Sequence, residues 1–339
     1  MLVSCRIETG SEAGHEAVYL INDLLLITVL PRKGADIYTF IHLPTGIDVL
    51  WKNPIGLWPP GAPPHDGYGG LEFMANYEGC WQELFPSCND PSEYNGRVIP
   101  FHGEVATLRW DWETIAQSDD EIAVKFTVYT KQTTFKLERT MRLKRGEARL
   151  YLDETVTNVG AFPQHFVWGH HCVVGGPWLE PGCRLDLPAH TIITADPMYE
   201  PQTARLAAGQ REPYPHARGK DGRTVDVSIV PGAEAFSHDD MYITDLDEGR
   251  LAVINDRIGL SFSLHWDHTL FKWVIAWQPY GGGAVLPPFK RMSHCLGIEP
   301  WISNKHLGAA VDAGEAIELA PGAQFSTQLS AQITYTGGK

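Results

Sequence analysis

Between Phe135 and Lys144 the chain alternates apolar and polar side chains almost without a break. Phe135, Leu137, Met141 and Leu143 fall on one side and Lys136, Glu138, Thr140, Arg142 and Lys144 on the other; only Arg139 interrupts the apolar row. A period of two is what a β-strand with one buried face requires, whereas a helix would scatter these residues around its axis. After the turn Arg145-Gly146-Glu147, the residues Leu150, Leu152 and Val156 keep the same period. Antiparallel strands sharing one buried face are therefore expected. Similar runs lie at 37–41, 124–128, 250–255, 260–266, 272–277 and 324–336, and the apolar run 24–30 reads as a buried strand. Asn95-Gly96, Glu248-Gly249, Gly281-Gly282-Gly283 and Pro321-Gly322 supply turn chemistry between such runs.

Helical periodicity is scarce. The best helical candidate, Thr203 to Ala208, is a turn or two long, and no linker or internal repeat divides the 339 residues. One large all-β domain over 1–339, with extended stacked sheets, is the expected architecture, since a small sandwich uses only about 100 residues. The proline- and glycine-rich stretch from Trp58 to Tyr68 carries aromatics and reads as an ordered loop over a site or an edge.

The formal charge of -14 repels polyanions, so nucleic acid and acidic membrane surfaces are not expected partners. Six cysteines (Cys5, Cys80, Cys88, Cys172, Cys183 and Cys295) form no CxxC pair, which zinc ribbons and redox dithiols need. Free, buried thiols in a reducing cytoplasm are expected. The opening Met1-Leu2-Val3-Ser4 lacks the pattern of a signal peptide. No cofactor is expected either: there is no phosphate-binding loop, GxSxG elbow or dinucleotide fingerprint. Eleven tryptophans fill a core or offer flat faces to sugar rings.

Chemistry concentrates in Phe166-Val167-Trp168-Gly169-His170-His171 and in Gly297-Ile298-Glu299-Pro300-Trp301. A histidine and a carboxylate among apolar residues can give and take a proton on a neutral substrate, the minimum for cofactor-free acid–base catalysis. An apolar setting raises a carboxyl pKa and makes Glu299 the better base near neutrality. In a strand, Val167, Gly169, His171 and Val173 share one face, while Phe166, Trp168, His170 and Cys172 share the other. At most one of the two histidines serves a given pocket. Gly169, on the face of His171, is expected to leave room for a ligand. The same opposition weakens a metal site built from His165, His170, His171 and a carboxylate, so no metal is expected. If the chain is extended around Phe101, His102 points away from the core face and can bind a hydroxyl. Acidic groups in Ser237-His238-Asp239-Asp240-Met241-Tyr242 suit vicinal diols.

In order along the chain, several segments resemble those of the aldose 1-epimerases, in the galactose mutarotase-like superfamily. They are Gly34-Ala35-Asp36-Ile37 with 46–51, Gly79-Cys80-Trp81-Gln82-Glu83-Leu84-Phe85-Pro86, Pro100-Phe101-His102-Gly103, Asn158-Val159-Gly160 leading into Gly169-His170-His171, Asp239 to Tyr242, and Ile298-Glu299-Pro300. The resemblance implies a β-supersandwich and a monomer or homodimer acting on a small-molecule sugar. It implies that Glu299 takes the anomeric proton while His171 protonates the ring oxygen. His102 and Asp239 would bind hydroxyls, and Arg97, Trp168 and His170 are further candidates for substrate binding. After His171 the chain departs from the family pattern with Cys172-Val173-Val174. That leaves His170 against His171, and Asp239 against Asp240, open at this point.

Overall fold

Two large antiparallel sheets face each other in the computed structural model, which describes residues 4–61, 72–282 and 293–337. The larger sheet has twelve strands. Through its middle run Asp36–His42, Trp81–Leu84, Gly169–Gly175, Cys295–Trp301, Trp273–Tyr280, Ser237–Leu246 and Ala189–Thr194, each hydrogen-bonded to the next. The second sheet has eight strands, among them Leu260–Trp266, Gln324–Tyr335, Arg149–Asn158, Phe135–Lys144 and Glu121–Tyr129 in that order. The expected alternation is there: Phe135–Lys144 is buried at every second residue.

Between the sheets lies one continuous apolar core, with Phe40 and Trp81 from the larger sheet, Trp168 from the link that enters its strand Gly169–Gly175, and Phe126, Leu137, Leu152 and Phe262 from the smaller. Phe40 and Phe262 meet edge to face across it, 5.2 Å between centroids. The larger sheet also has an apolar outer face. There Trp51, Phe73, Tyr77, Val173, Ile275 and Trp301 form a second buried cluster, partly roofed by the short helices Glu72–Ala75 and Leu307–Asp312. Strands near the centre of this sheet are consequently apolar on both faces; all seven residues of Gly169–Gly175 are buried. That doubly buried strand is where a concave site can be built away from the main core.

Two local expectations change. Residues 203–208 are turn and bridge rather than helix, because Asp239 captures the backbone N–H groups of Arg205 and Leu206. The chain around Phe101 is a turn, not a strand: His102 sits in the left-handed region at φ 61°, and Val105–Thr107 is a 3₁₀ turn. Only the start of the Trp58–Tyr68 loop, and of the 281–283 turn only its first two glycines, falls within the described residues. All six cysteines are free and buried. Among the described residues no helix is long and apolar enough to cross a membrane.

Candidate active site

The outer face of the larger sheet follows from register. Gly169 lies opposite Trp301 and Val173 opposite Gly297, which brings His171 level with Glu299 on the adjacent strand. Across the next two pairings, Glu299 faces Ile275, Gly297 faces Trp277, and Trp277 faces Asp240. Strict alternation then puts His171, Glu299, Trp277, Asp240, His238 and Tyr242 on one surface. Loops and the Glu72–Ala75 helix add Trp51, Phe73, Tyr77, Asn89 and His102 above it.

His171 and Glu299 meet there, Nε2 to Oε1 at 3.6 Å. Around the imidazole stand Phe73, Tyr77, His102 and Trp277, with ring centroids between 5.2 and 6.2 Å away. The Tyr77 hydroxyl lies 3.5 Å from His171 Nδ1. Glu299 folds back over Gly297, where an added Cβ would stand 2.6 Å from its Oε1; only glycine leaves the carboxylate this position.

Burial dominates the electrostatics of the pair. It pushes the His171 imidazole down to about 4, against a weaker opposing pull from its own backbone and from Glu78. Burial, and next the Asp240 carboxylate, hold Glu299 well above the usual carboxylate range. Burial thus favours the neutral form of both groups, an imidazole without its extra proton beside a carboxyl that holds its proton more readily than an ordinary one. His102 is also held well below its ordinary value, by burial and then by His171. Its Nδ1 accepts the Asn89 backbone N–H at 3.1 Å, so the neutral ring carries its proton on Nε2 and can donate.

Several expected site residues lie elsewhere. His170 and Trp168 occupy the inner face of the same strand region, fully buried between the sheets. There the pair His170–Glu83 of the larger sheet faces the pair Arg139–Glu154 of the smaller. Arg139 Nη1 donates to Glu83 at 3.0 Å, and the Trp168 indole donates to the other Glu83 oxygen. His170 lies 3.3 Å from Glu154 through Nε2 and 3.7 Å from Glu83 through Nδ1. Arg139, the one polar intruder in its apolar row, is thus explained by a carboxylate on the facing sheet. Glu83, Glu154 and His170 offer ligand atoms within 4.8 Å of one another, a spacing a metal ion could use. Yet two carboxylates and one guanidinium leave a single uncompensated negative charge, which one proton neutralises and a divalent ion would overshoot. The carboxylates accordingly pull the His170 imidazole above its ordinary value despite burial, and Glu83 is pushed up to about 7 by burial and then Glu154.

Asp239 is also an inner-face residue. Its carboxylate accepts the Arg205 side chain at 2.6 Å and the backbone N–H groups of Arg205 and Leu206. Asp240, one residue on, is the acid on the same surface as Glu299. Arg97 is exposed in the Ser92–Tyr94/Arg97–Ile99 hairpin. Nor does Gly169 leave a void: a Cβ there would meet Trp301 at 2.5 Å and the Cys88 sulfur at 2.9 Å. Sequence reasoning missed Tyr77, His238 and Trp277. Alternation along 272–277 could have offered Trp277; nothing local marks Tyr77.

No curated protein matches the chain. The fold is that of the galactose mutarotase-like proteins. A Klebsiella pneumoniae structure provisionally named an aldose 1-epimerase superposes with a TM-score of 0.75 at 17% identity, over 97% of this chain and 83% of that one. A galactose mutarotase-like protein from Lactobacillus casei gives 0.63 at 15% identity, over 94% and 100%. An Escherichia coli K12 protein, also provisionally named an aldose 1-epimerase, gives 0.59 at 15%, over 98% and 99%. Residues 12–333 match the model of a domain of unknown function, DUF4432, and the chain belongs to that family.

Proposed function

We propose that this chain is an aldose 1-epimerase, interconverting the α and β anomers of an aldose by opening and reclosing its ring. The observation that carries the reading is the 3.6 Å approach of His171 and Glu299 on one aromatic-lined surface. Sugar hydroxyls that reach Glu299 solvate its carboxylate and move the shared proton to His171. Glu299 then takes the proton from the anomeric hydroxyl while His171 gives one to the ring oxygen. The C1–O5 bond breaks as the C1–O1 carbonyl forms. Rotation about C1–C2 and attack of the ring oxygen on the other carbonyl face close the ring, and both protons return. His102, through Nε2–H, and Asp240 bind hydroxyls, and Trp277 supports the apolar face of the ring. The groups need contribute only the roughly 10²–10⁴-fold that positioned acid–base catalysis delivers.

Exchange between anomer signals, measured by NMR on a panel of free aldoses, tests this. Acceleration that is lost in Glu299→Gln and in His171→Asn, with sugar binding kept, is the expected result. Binding without acceleration across the panel would instead make the chain a sugar-binding or sugar-sensing protein.

A further inference from the structure

One atom at the border of the cleft faces two partners that it cannot satisfy in the same protonation state. His238 Nε2 accepts the Trp277 indole N–H at 2.7 Å, and the same nitrogen lies 3.4 Å from Asp240 Oδ1. An indole nitrogen can only donate, so the contact requires a lone pair on Nε2 and places the ring proton on Nδ1. In that state Nε2 has nothing to offer Asp240. Among the described residues the carboxylate is held through Oδ2, by the Tyr199 backbone N–H at 3.2 Å, and Oδ1 is left to accept from a ligand. Once Nε2 is protonated, two N–H donors face each other and the indole contact is lost. The imidazolium then has Asp240 Oδ1 within ion-pair reach.

We infer that His238 is a positioning residue whose own protonation decides whether Asp240 is free to bind a ligand. The inference rests on the reading of this surface as a sugar site, and it adds a control to that site. Neutral His238 orients Trp277, whose ring stands 6.2 Å from His171, and leaves Asp240 available. Protonated His238 releases the Trp277 edge and occupies Asp240. The ring is buried, so solvent does not supply the missing partner in either state. Its Nδ1 has no partner among the described residues, so the neutral form leaves a buried N–H unpaired.

The groups around the ring favour an exchange of partners over simple ionisation. Asp240 is on the same strand, Trp277 on the neighbouring strand, and the Tyr199 ring lies 5.7 Å away on the preceding loop. Glu200 adjoins Tyr199 in sequence, and Glu299 interacts with Asp240 across the cleft. The nearby cation, Arg205, is committed to Asp239 on the reverse side of the strand. A proton arriving at His238 thus meets carboxylates on its own side of the sheet.

The test follows His238 and Trp277 together on ¹⁵N-labelled protein. With rising acidity, the His238 nitrogen signals should pass from the Nδ1–H form to imidazolium. The Trp277 indole proton should lose its downfield, hydrogen-bonded shift over the same interval, with His238→Gln and Trp277→Phe used for assignment. An indole signal that stays put while His238 titrates would overturn the inference, whether or not the protein turns over any sugar. The second arm measures D-galactose and D-glucose binding against pH. Affinity should fall about tenfold per pH unit once His238 is protonated. It should be flat in His238→Gln, whose side-chain oxygen accepts the indole N–H and cannot titrate. The same slope in wild type and variant would also defeat it. Should neither sugar bind at any pH, the proposed function loses support for these sugars while the indole signal still decides the role of His238.

Discussion

Replacing Glu154 by Gln tests the charge balance between the sheets. In the folded protein Glu83 and Glu154 face Arg139 and His170 with no exposure to water. Two negative charges against one guanidinium leave the cluster short of one positive charge, which one proton shared between His170 and Glu83 supplies. The carboxylates hold that imidazole above its ordinary value, so the folded state keeps a proton that the unfolded chain releases. A raised folded pKa contributes stability that is fully present below the unfolded value and is lost as pH rises through the folded one. In Glu154→Gln the Arg139–Glu83 pair is already neutral and the extra proton has no partner. Breaking the buried cluster should cost about 3 kcal/mol at low pH, the lower end for removing one member of a buried pair. That deficit should shrink by about 1.4 kcal/mol per pH unit as wild type loses its linked proton. Urea unfolding of both proteins near pH 6 and near pH 8 reads the difference directly. Comparing the two proteins at each pH cancels the other histidines, which titrate in both. A deficit that is the same at both pH values would refute the shared-proton account, and a bound metal removable by chelator in wild type would replace it.

Other consequences are more local. Gly297→Ala places a Cβ 2.6 Å from Glu299 Oε1 and 2.9 Å from Trp277 Cβ; anomer exchange should fall at least about tenfold for a shift of that kind, with melting temperature changed by only a few degrees. Gly169→Ala, which strikes Trp301 and Cys88, should instead destabilise by about 1–3 kcal/mol in denaturant titrations. Asp239→Ala strands Arg205 and two backbone donors and should lower stability by about 3–5 kcal/mol, whereas Asp240→Ala should leave stability nearly unchanged and weaken sugar binding. Because burial pushes His171 down to about 4, its folded form binds fewer protons than the unfolded chain below about pH 6.5; stability should drop on acidification through that range, and the drop should be smaller in His171→Gln.

Much of the scaffold was readable because alternation is a local property. The strands Arg250–Asn255 and Leu260–Trp266 begin and end where their side-chain period does, and Gln324–Tyr335 departs by one residue. The opposition of His170 and His171 was readable too, since neighbours in a strand must point apart. Where a rule of local conformation was missing, the sequence misled. His102 takes its position from a left-handed turn whose backbone is tied to Asn89, and no pattern within 95–105 announces it.

Periodicity sorts residues into two sets but does not say which set faces the larger core when both faces are apolar. For that reason Trp168 and Asp239 looked as suited to a pocket as Trp277 and Asp240 do. Arg139 stood out as an exception in its row, yet its meaning depends on Glu83, brought opposite by the larger sheet. By itself the chain determined an all-β scaffold and most of the strands in it, and it offered Glu299 with either His170 or His171 as candidate proton-handling groups. Tertiary structure alone decided which sheet face became the cleft, because that depends on which surface the eight-stranded sheet covers, a contact between segments far apart in sequence.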